Sequence, residues 1–202
     1  MLVTIFDTET TGLIPKMTIL QKESLHKYPH AVQFSYLIYD TEHGKVVKVV
    51  DRIIRLDPEI KISQDSVKIH KITRELSTEK GVDIIEVLKE FFQDVLGTDL
   101  LAAHNYEFDW KMIQVECMRL NIEIPNIPAE RYCTMKETAA FCKIPSQFKK
   151  PNDEYKWPTL FELYVKLFNE LPENLHNSLY DVYATLRCLM KFRFGEDIGI
   201  LG

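Results

Sequence analysis

The run Leu2-Val3-Thr4-Ile5-Phe6 leads into two carboxylates, Asp7 and Glu9, spaced one residue apart. β-Branched and aromatic residues at this density predict a buried strand. Side chains alternate along a strand, so residues 7 and 9 point to one side. Two acids side by side at the end of a buried strand repel each other and lose hydration. A divalent cation between them offsets both costs. A strand ending in a polar turn, with Asp7 as a cap, is the simpler account of one such acid. It explains the pair, followed by Thr10-Thr11-Gly12, less well.

Segments 32–39 and 46–56 are strand-like, and the turn residues at 41–44 predict a hairpin between them. The apolar spacing over 83–96 predicts an amphipathic helix stopped at Gly97. A short buried strand is expected at 100–103, a helix at 108–120, a strand at 131–135 and a short helix at 136–141. Amphipathic helices are expected at 159–169 and 178–194. Strands first, then strands alternating with helices, predict an α/β chain with one mixed sheet and helices packed on it. A length of 202 residues at 46% hydrophobic suits a single domain over 1–202.

Further acids recur at element starts. Asp109 follows the short strand and the His104-Asn105 pair, at an edge where ligands gather in α/β folds. A first-turn acid favoured by the helix dipole explains it equally well. Asp181 falls in the first turn of the helix expected from Ser178, with Ser178 as its cap and His176 just upstream. That spacing lets an imidazole and a carboxylate face one point. A capped helix with an incidental histidine is the competing reading.

Taken in order, Asp7-Thr8-Glu9-Thr10-Thr11-Gly12, then His104-Asn105-x-x-Phe108-Asp109, then His176-x-x-x-x-Asp181, resemble the three motifs of the DEDDh (DnaQ-like) 3′→5′ exonuclease family. The segment 66–73 resembles a further family segment, with Lys71 where glycine is usual. Cys133-Thr134 resembles another, with Cys133 in place of an Asp. The likeness spans roughly residues 2–190. His176, rather than a tyrosine at 177, indicates the histidine subclass.

The resemblance implies an RNase H-like fold, a central mixed five-stranded sheet with helices on both faces. It also implies phosphodiester hydrolysis with two Mg²⁺ or Mn²⁺ ions. Hard carboxylate oxygens suit such ions, and no thiolate or imidazole cluster points to zinc. By the same resemblance Asp7 bridges both ions. Glu9 and Asp181 complete the site on the side of the attacking water, Asp109 helps hold the second ion, and His176 is the general base. His104 is the rival base. Thr8, Thr10, Thr11, Gly12 and Leu13 would meet the terminal nucleotide, and His70, His104, Asn105 and Phe108 would frame it.

The expected substrate is the 3′ end of single-stranded nucleic acid, DNA in the first place. RNA trimming, a polymerase proofreading subunit, a non-catalytic binding module and a small-molecule phosphatase are the other readings. Net charge is −5, so nucleic-acid binding must rest on local patches. Residues 143–158 supply one, with Lys143, Lys149, Lys150 and Lys156 interleaved with Phe148, Tyr155 and Trp157. For Trp157 itself, packing under the following helix is the expectation. Residues 14–30 form a second basic loop. Four cysteines without pairing pattern, and no stretch resembling a signal or membrane span, predict a reducing interior, cytoplasm or nucleus. A homodimer or a replication partner is not readable from the residues.

Overall fold

A computed structural model describes residues 1–16, 19–146, 155–172 and 175–199. Five strands form one sheet: β1 (Leu2–Thr10), β2 (Ala31–Asp40), β3 (Lys45–Ile53), β4 (Leu100–Ala103) and β5 (Glu130–Cys133). Their spatial order is β3-β2-β1-β4-β5. The β1–β2 and β2–β3 pairs are antiparallel, whereas β1–β4 and β4–β5 are parallel. The sheet is therefore mixed, as expected, and the hairpin turns at residues 41–44.

Alternation along β1 decides which layer each side chain joins. Phe6 points to one face, where it packs with Phe34, Tyr36 and Ile54 under α3 (Ile84–Val95) and α4 (Tyr106–Leu120). Phe91 of α3 anchors this layer, its ring centroid 5.6 Å from that of Phe6 and 5.0 Å from that of Phe34. Burying one such ring contributes about 2–3 kcal/mol. Val3 and Ile5 point to the opposite face and pack with Leu37, Leu100 and Ala102 under α8 (Ser178–Leu189). Asp7 and Glu9 share their parity, so the two acids face α8.

Short helices complete the outline. α1 (Gln64–His70) and α2 (Arg74–Lys80) follow β3, α5 (Thr134–Glu137) and α6 (Ala139–Cys142) follow β5, and α7 (Leu160–Phe168) precedes α8. The expected helix at 178–194 changes character midway: α8 ends at Leu189 and a π-helical turn, Met190–Phe194, continues it. Lys71, at the position where the family's glycine is usual, ends α1 with φ of 64°, the left-handed conformation that glycine adopts most cheaply.

Gly81 sits where the end of α2 meets the chain leaving β3. A Cβ there would lie 2.1 Å from the Ser77 carbonyl oxygen and 2.6 Å from the Arg55 backbone. Backbone atoms cannot step aside as a flexible side chain can. Gly81→Ala is expected to lower stability by about 3 kcal/mol, read as a fall in the urea midpoint.

Candidate active site

The acids converge where β1 and β4 end and α8 begins, at the carboxyl edge of the parallel strands. Carboxylate oxygens of Asp7, Glu9 and Asp181 lie within 4.8 Å of one another. Asp7 and Glu9 arrive by strand alternation, and Asp181 arrives on the first turn of α8.

Hydrogen bonds fasten that turn to the sheet. Asn177, not Ser178, caps α8, its side-chain oxygen accepting from the Leu179 N–H at 3.2 Å. The expected cap is displaced by one residue because Ser178 is used otherwise. Its hydroxyl donates to the Asp7 carbonyl at 2.8 Å, and its N–H donates to Gln33 Oε1 at 3.3 Å. Gln33 is paired across from Glu9 and donates in turn to Asp51 Oδ1 at 2.8 Å. Sequence reasoning missed Gln33. Two polar residues, Gln33 and Ser35, inside the largely apolar β2 run were the available signal.

His176 precedes the cap with φ of 71°, an uncommon conformation for a side chain with Cβ. Its N–H points at both Asp181 carboxylate oxygens, at 3.2 and 3.3 Å. Its imidazole is exposed. With Asp7, His104 and Asp181 it lines a cavity of about 410 Å³ whose apolar wall is Leu160, Phe161 and Leu175. Those three wall residues were not anticipated, since in sequence they read as ordinary positions of amphipathic segments.

Asp109 stands apart from the three-carboxylate group. It is buried, and its Oδ1 accepts from the Thr8 N–H at 2.9 Å and from the Thr8 hydroxyl at 2.8 Å. Thr8 faces α4 because it alternates with Asp7 and Glu9. Its hydroxyl is thereby committed to Asp109.

Burial pushes all four carboxyls upward. Asp7 is raised by desolvation, and Asp181 and Asp109 by desolvation and then by the charge of Asp7. Glu9 is pushed up to about 9 by burial, then by Asp7 and Asp181. Among the described residues no Lys, Arg or His side chain pairs with any of them. Clustered hard oxygens, disfavoured as bare anions and without cationic partners, fit a divalent cation.

The sign of the pH dependence follows. In metal-free protein these groups hold protons that the unfolded chain has released above about pH 4–5. Stability therefore falls as pH rises from there towards 9, the value reached by Glu9. Mg²⁺ or Mn²⁺ is expected to raise the melting temperature more at pH 8 than at pH 6, in scanning fluorimetry against an EDTA control. An ion effect of equal size at both values would speak against the carboxylate site.

The rival base is occupied. Pro158 carbonyl oxygen can only accept, so His104 Nε2 donates to it at 3.1 Å and Nδ1 accepts from the Thr134 hydroxyl at 2.9 Å. Burial holds this imidazole down at about 4. His70 is similarly engaged. Its Nδ1 accepts from the Ile72 N–H at 3.0 Å, which leaves Nε2–H facing the Thr10 carbonyl at 3.3 Å. It ties α1 to the end of β1.

The remaining expected substrate residues are placed as follows. Thr10 donates to the Gly12 carbonyl at 2.6 Å, and the Thr11 hydroxyl accepts from the His30 N–H at 2.9 Å. A Cβ on Gly12 would meet nothing within 4 Å, and Leu13 is 87% exposed, so open space adjoins this turn. Asn105 and Phe108 are partly buried at the start of α4. Trp157 does not pack under α7. It is 48% exposed, with Lys136 Nζ 5.3 Å from its ring centroid. Phe148, Lys149 and Lys150 lie outside the described residues.

The family model RNase_T, described as "Exonuclease", matches residues 4–189. DNA polymerase III subunit epsilon of Pasteurella multocida (strain Pm70) is 27% identical over 140 residues, which are 66% of this chain and 47% of that protein. The chain thus spans about half the length of this relative. Exonuclease X, solved with 5′-overhanging duplex DNA, superposes with a TM-score of 0.58 at 25% identity, covering 96% of this chain and 93% of that one. A 3′-exonuclease that recognises the histone mRNA stem-loop gives a TM-score of 0.72 at 15% identity, covering 98% and 65%. This last likeness is one of fold, the five-stranded mixed sheet with helices on both faces. Among the described residues no helix is long and apolar enough to cross a membrane. The matched span includes every acid and histidine of the site, and the chain belongs to the DnaQ-like (DEDDh) exonuclease family.

Proposed function

We propose that this protein removes nucleotides one at a time from the 3′ end of single-stranded DNA, as a single domain over residues 1–202. The observation that carries the reading is the meeting of Asp7, Glu9 and Asp181 within 4.8 Å, with His176 hydrogen-bonded to the third. DNA is favoured because two relatives at 25% identity or more include a DNA polymerase subunit and an exonuclease solved with DNA.

Asp7, Glu9 and Asp181 would hold one Mg²⁺ or Mn²⁺, and Asp7 with Asp109 a second. When bound, such ions lower the pKa of water and offset charge on the attacking and leaving oxygens. The chain's own residues do the rest. His176 takes the proton of the attacking water and, being exposed, passes it to solvent. Its backbone tie to Asp181 aims the imidazole. Phe161, Leu160 and Leu175 supply an apolar wall for the sugar and base of the last nucleotide, and Leu13 supplies an exposed apolar surface after the turn that ends β1. Thr10, Thr11, Gly12, Asn105 and Phe108 complete the seat.

Incubation of 5′-labelled DNA and RNA oligomers with Mg²⁺, against EDTA, tests the reading. A ladder shortening from the 3′ end, faster on DNA, is expected. Internal cuts, or no cleavage of either polymer, would refute it. Faster shortening of RNA would transfer the site to RNA 3′ ends. The epsilon-subunit likeness supports a polymerase partner, which co-elution with a replicative polymerase tests.

A further inference from the structure

A second hollow, of about 530 Å³, opens between α4, β5 and α5. Three cations, Lys111, Arg131 and Lys136, line it against two acids, Glu107 and Glu137, in a chain whose net charge is −5. Lys136 pairs with Glu107, which leaves Lys111, Arg131 and Glu137 outside the described ion pairs, two cations against one acid. Tyr106 also lines it. That residue is 6% exposed, and its hydroxyl is buried without a hydrogen-bond partner. Native proteins rarely leave such a group unpaired, so an outside partner is the economical explanation. The Tyr106 ring stacks on Trp110 at 6.0 Å, and the Arg131 guanidinium lies 5.2 Å from the Trp110 centroid.

The hollow adjoins the catalytic cavity through one short segment. Trp157 lies half exposed beside Lys136, Pro158 is held by His104, and Thr159 lines the catalytic cavity. Three residues span at most ~10 Å, so the two hollows are neighbours across the His104 bridge. An exposed ring between a catalytic cleft and a cationic hollow is a stacking platform for single strands.

We propose that this α4–β5–α5 groove binds the 5′-ward part of the strand whose 3′ end occupies the catalytic cavity, with Trp157 stacking on a base, and Arg131, Lys111 and the Tyr106 hydroxyl meeting phosphate oxygens. This rests on the exonuclease reading above.

Hydrolysis-resistant phosphorothioate oligothymidylates of about 3 and 12 nucleotides, in Mn²⁺, separate the two sites by fluorescence anisotropy. Trp157→Ala and the Lys111→Gln/Arg131→Gln double variant are each expected to weaken the 12-mer by about 5- to 20-fold and the 3-mer by less than about 2-fold. The double variant should also reduce the salt slope for the 12-mer by about 1.4, two single-strand phosphate contacts. Tyr106→Phe removes only an oxygen. It should weaken the 12-mer while leaving the melting temperature equal or higher, because an unpaired buried hydroxyl is lost. Variants that keep the wild-type ratio of 12-mer to 3-mer affinity, in a protein that still shortens DNA, overturn the groove alone. Wild-type protein that neither binds nor shortens any oligomer overturns the exonuclease reading and the groove with it.

Discussion

Asp7→Asn is expected to reduce turnover by about 10³-fold or more, some 4 kcal/mol of transition-state stabilisation, and to make the metal-free protein more stable. The two effects share one cause. After burial, which raises Glu9, Asp181 and Asp109 most, the charge of Asp7 raises all three further, so removing it relieves repulsion at three places. A gain of about 1–2 kcal/mol at pH 8 corresponds to roughly 2–8 °C for a domain of this size. The same variant should lose most of the melting shift that Mn²⁺ gives the wild type. Scanning fluorimetry with EDTA and with Mn²⁺ checks both. A variant destabilised in EDTA but still stabilised by Mn²⁺ would mean that Asp7 serves the fold and not the ions.

His176→Ala should lower kcat by about 10²- to 10⁴-fold, the range for a positioned general base. The imidazole is exposed and packs into no core, so folding should be unaffected. Affinity for a phosphorothioate oligomer and the Mn²⁺ melting shift should stay within about 2-fold of wild type. His104→Ala offers the contrast. It breaks the bridge between Thr134 and Pro158, and its main effect should be a loss of about 1–3 kcal/mol in stability. Single-turnover rates and melting curves of the two variants distinguish a proton acceptor from a brace. Turnover of His176→Ala within about 5-fold of wild type would remove it from the mechanism.

What the sequence reveals here depends on how local the determinant is. β1 is legible because β-branched residues and period-two alternation are local, and the same alternation assigns Asp7 and Glu9 to one face. α3 and α7 are legible from wide apolar stripes. α1 and α2 are not: each has seven residues and a mostly exposed surface, too short for a period to register. Their caps, Ser63 and Thr73, with an acid in each first turn and a base in each last turn, are weak local marks. The acids of the site are readable as a set from motif order. Their partners are not, because Thr8 meets Asp109 across 101 residues and Ser178 meets Gln33 across 145. Trp157 illustrates the same limit. A ring before a proline and a helix suggests burial, but the ring lies half exposed beside Lys136, from a helix distant in sequence.

The docking of α8 has an operational consequence. One apolar stripe, Val182, Leu186 and Leu189, seats the helix on the sheet, and the same event brings Asp181 to Asp7 and Glu9. On the proposed mechanism, catalytic competence would be a readout of whether this last layer is closed. A fluctuation that lifts α8 while the strands stay paired would silence the enzyme reversibly, at a temperature below that at which the molecule melts. A hydrolase of nucleic acid assembled this way would be inactive while incompletely folded, because its third carboxylate arrives only with the helix that covers the sheet.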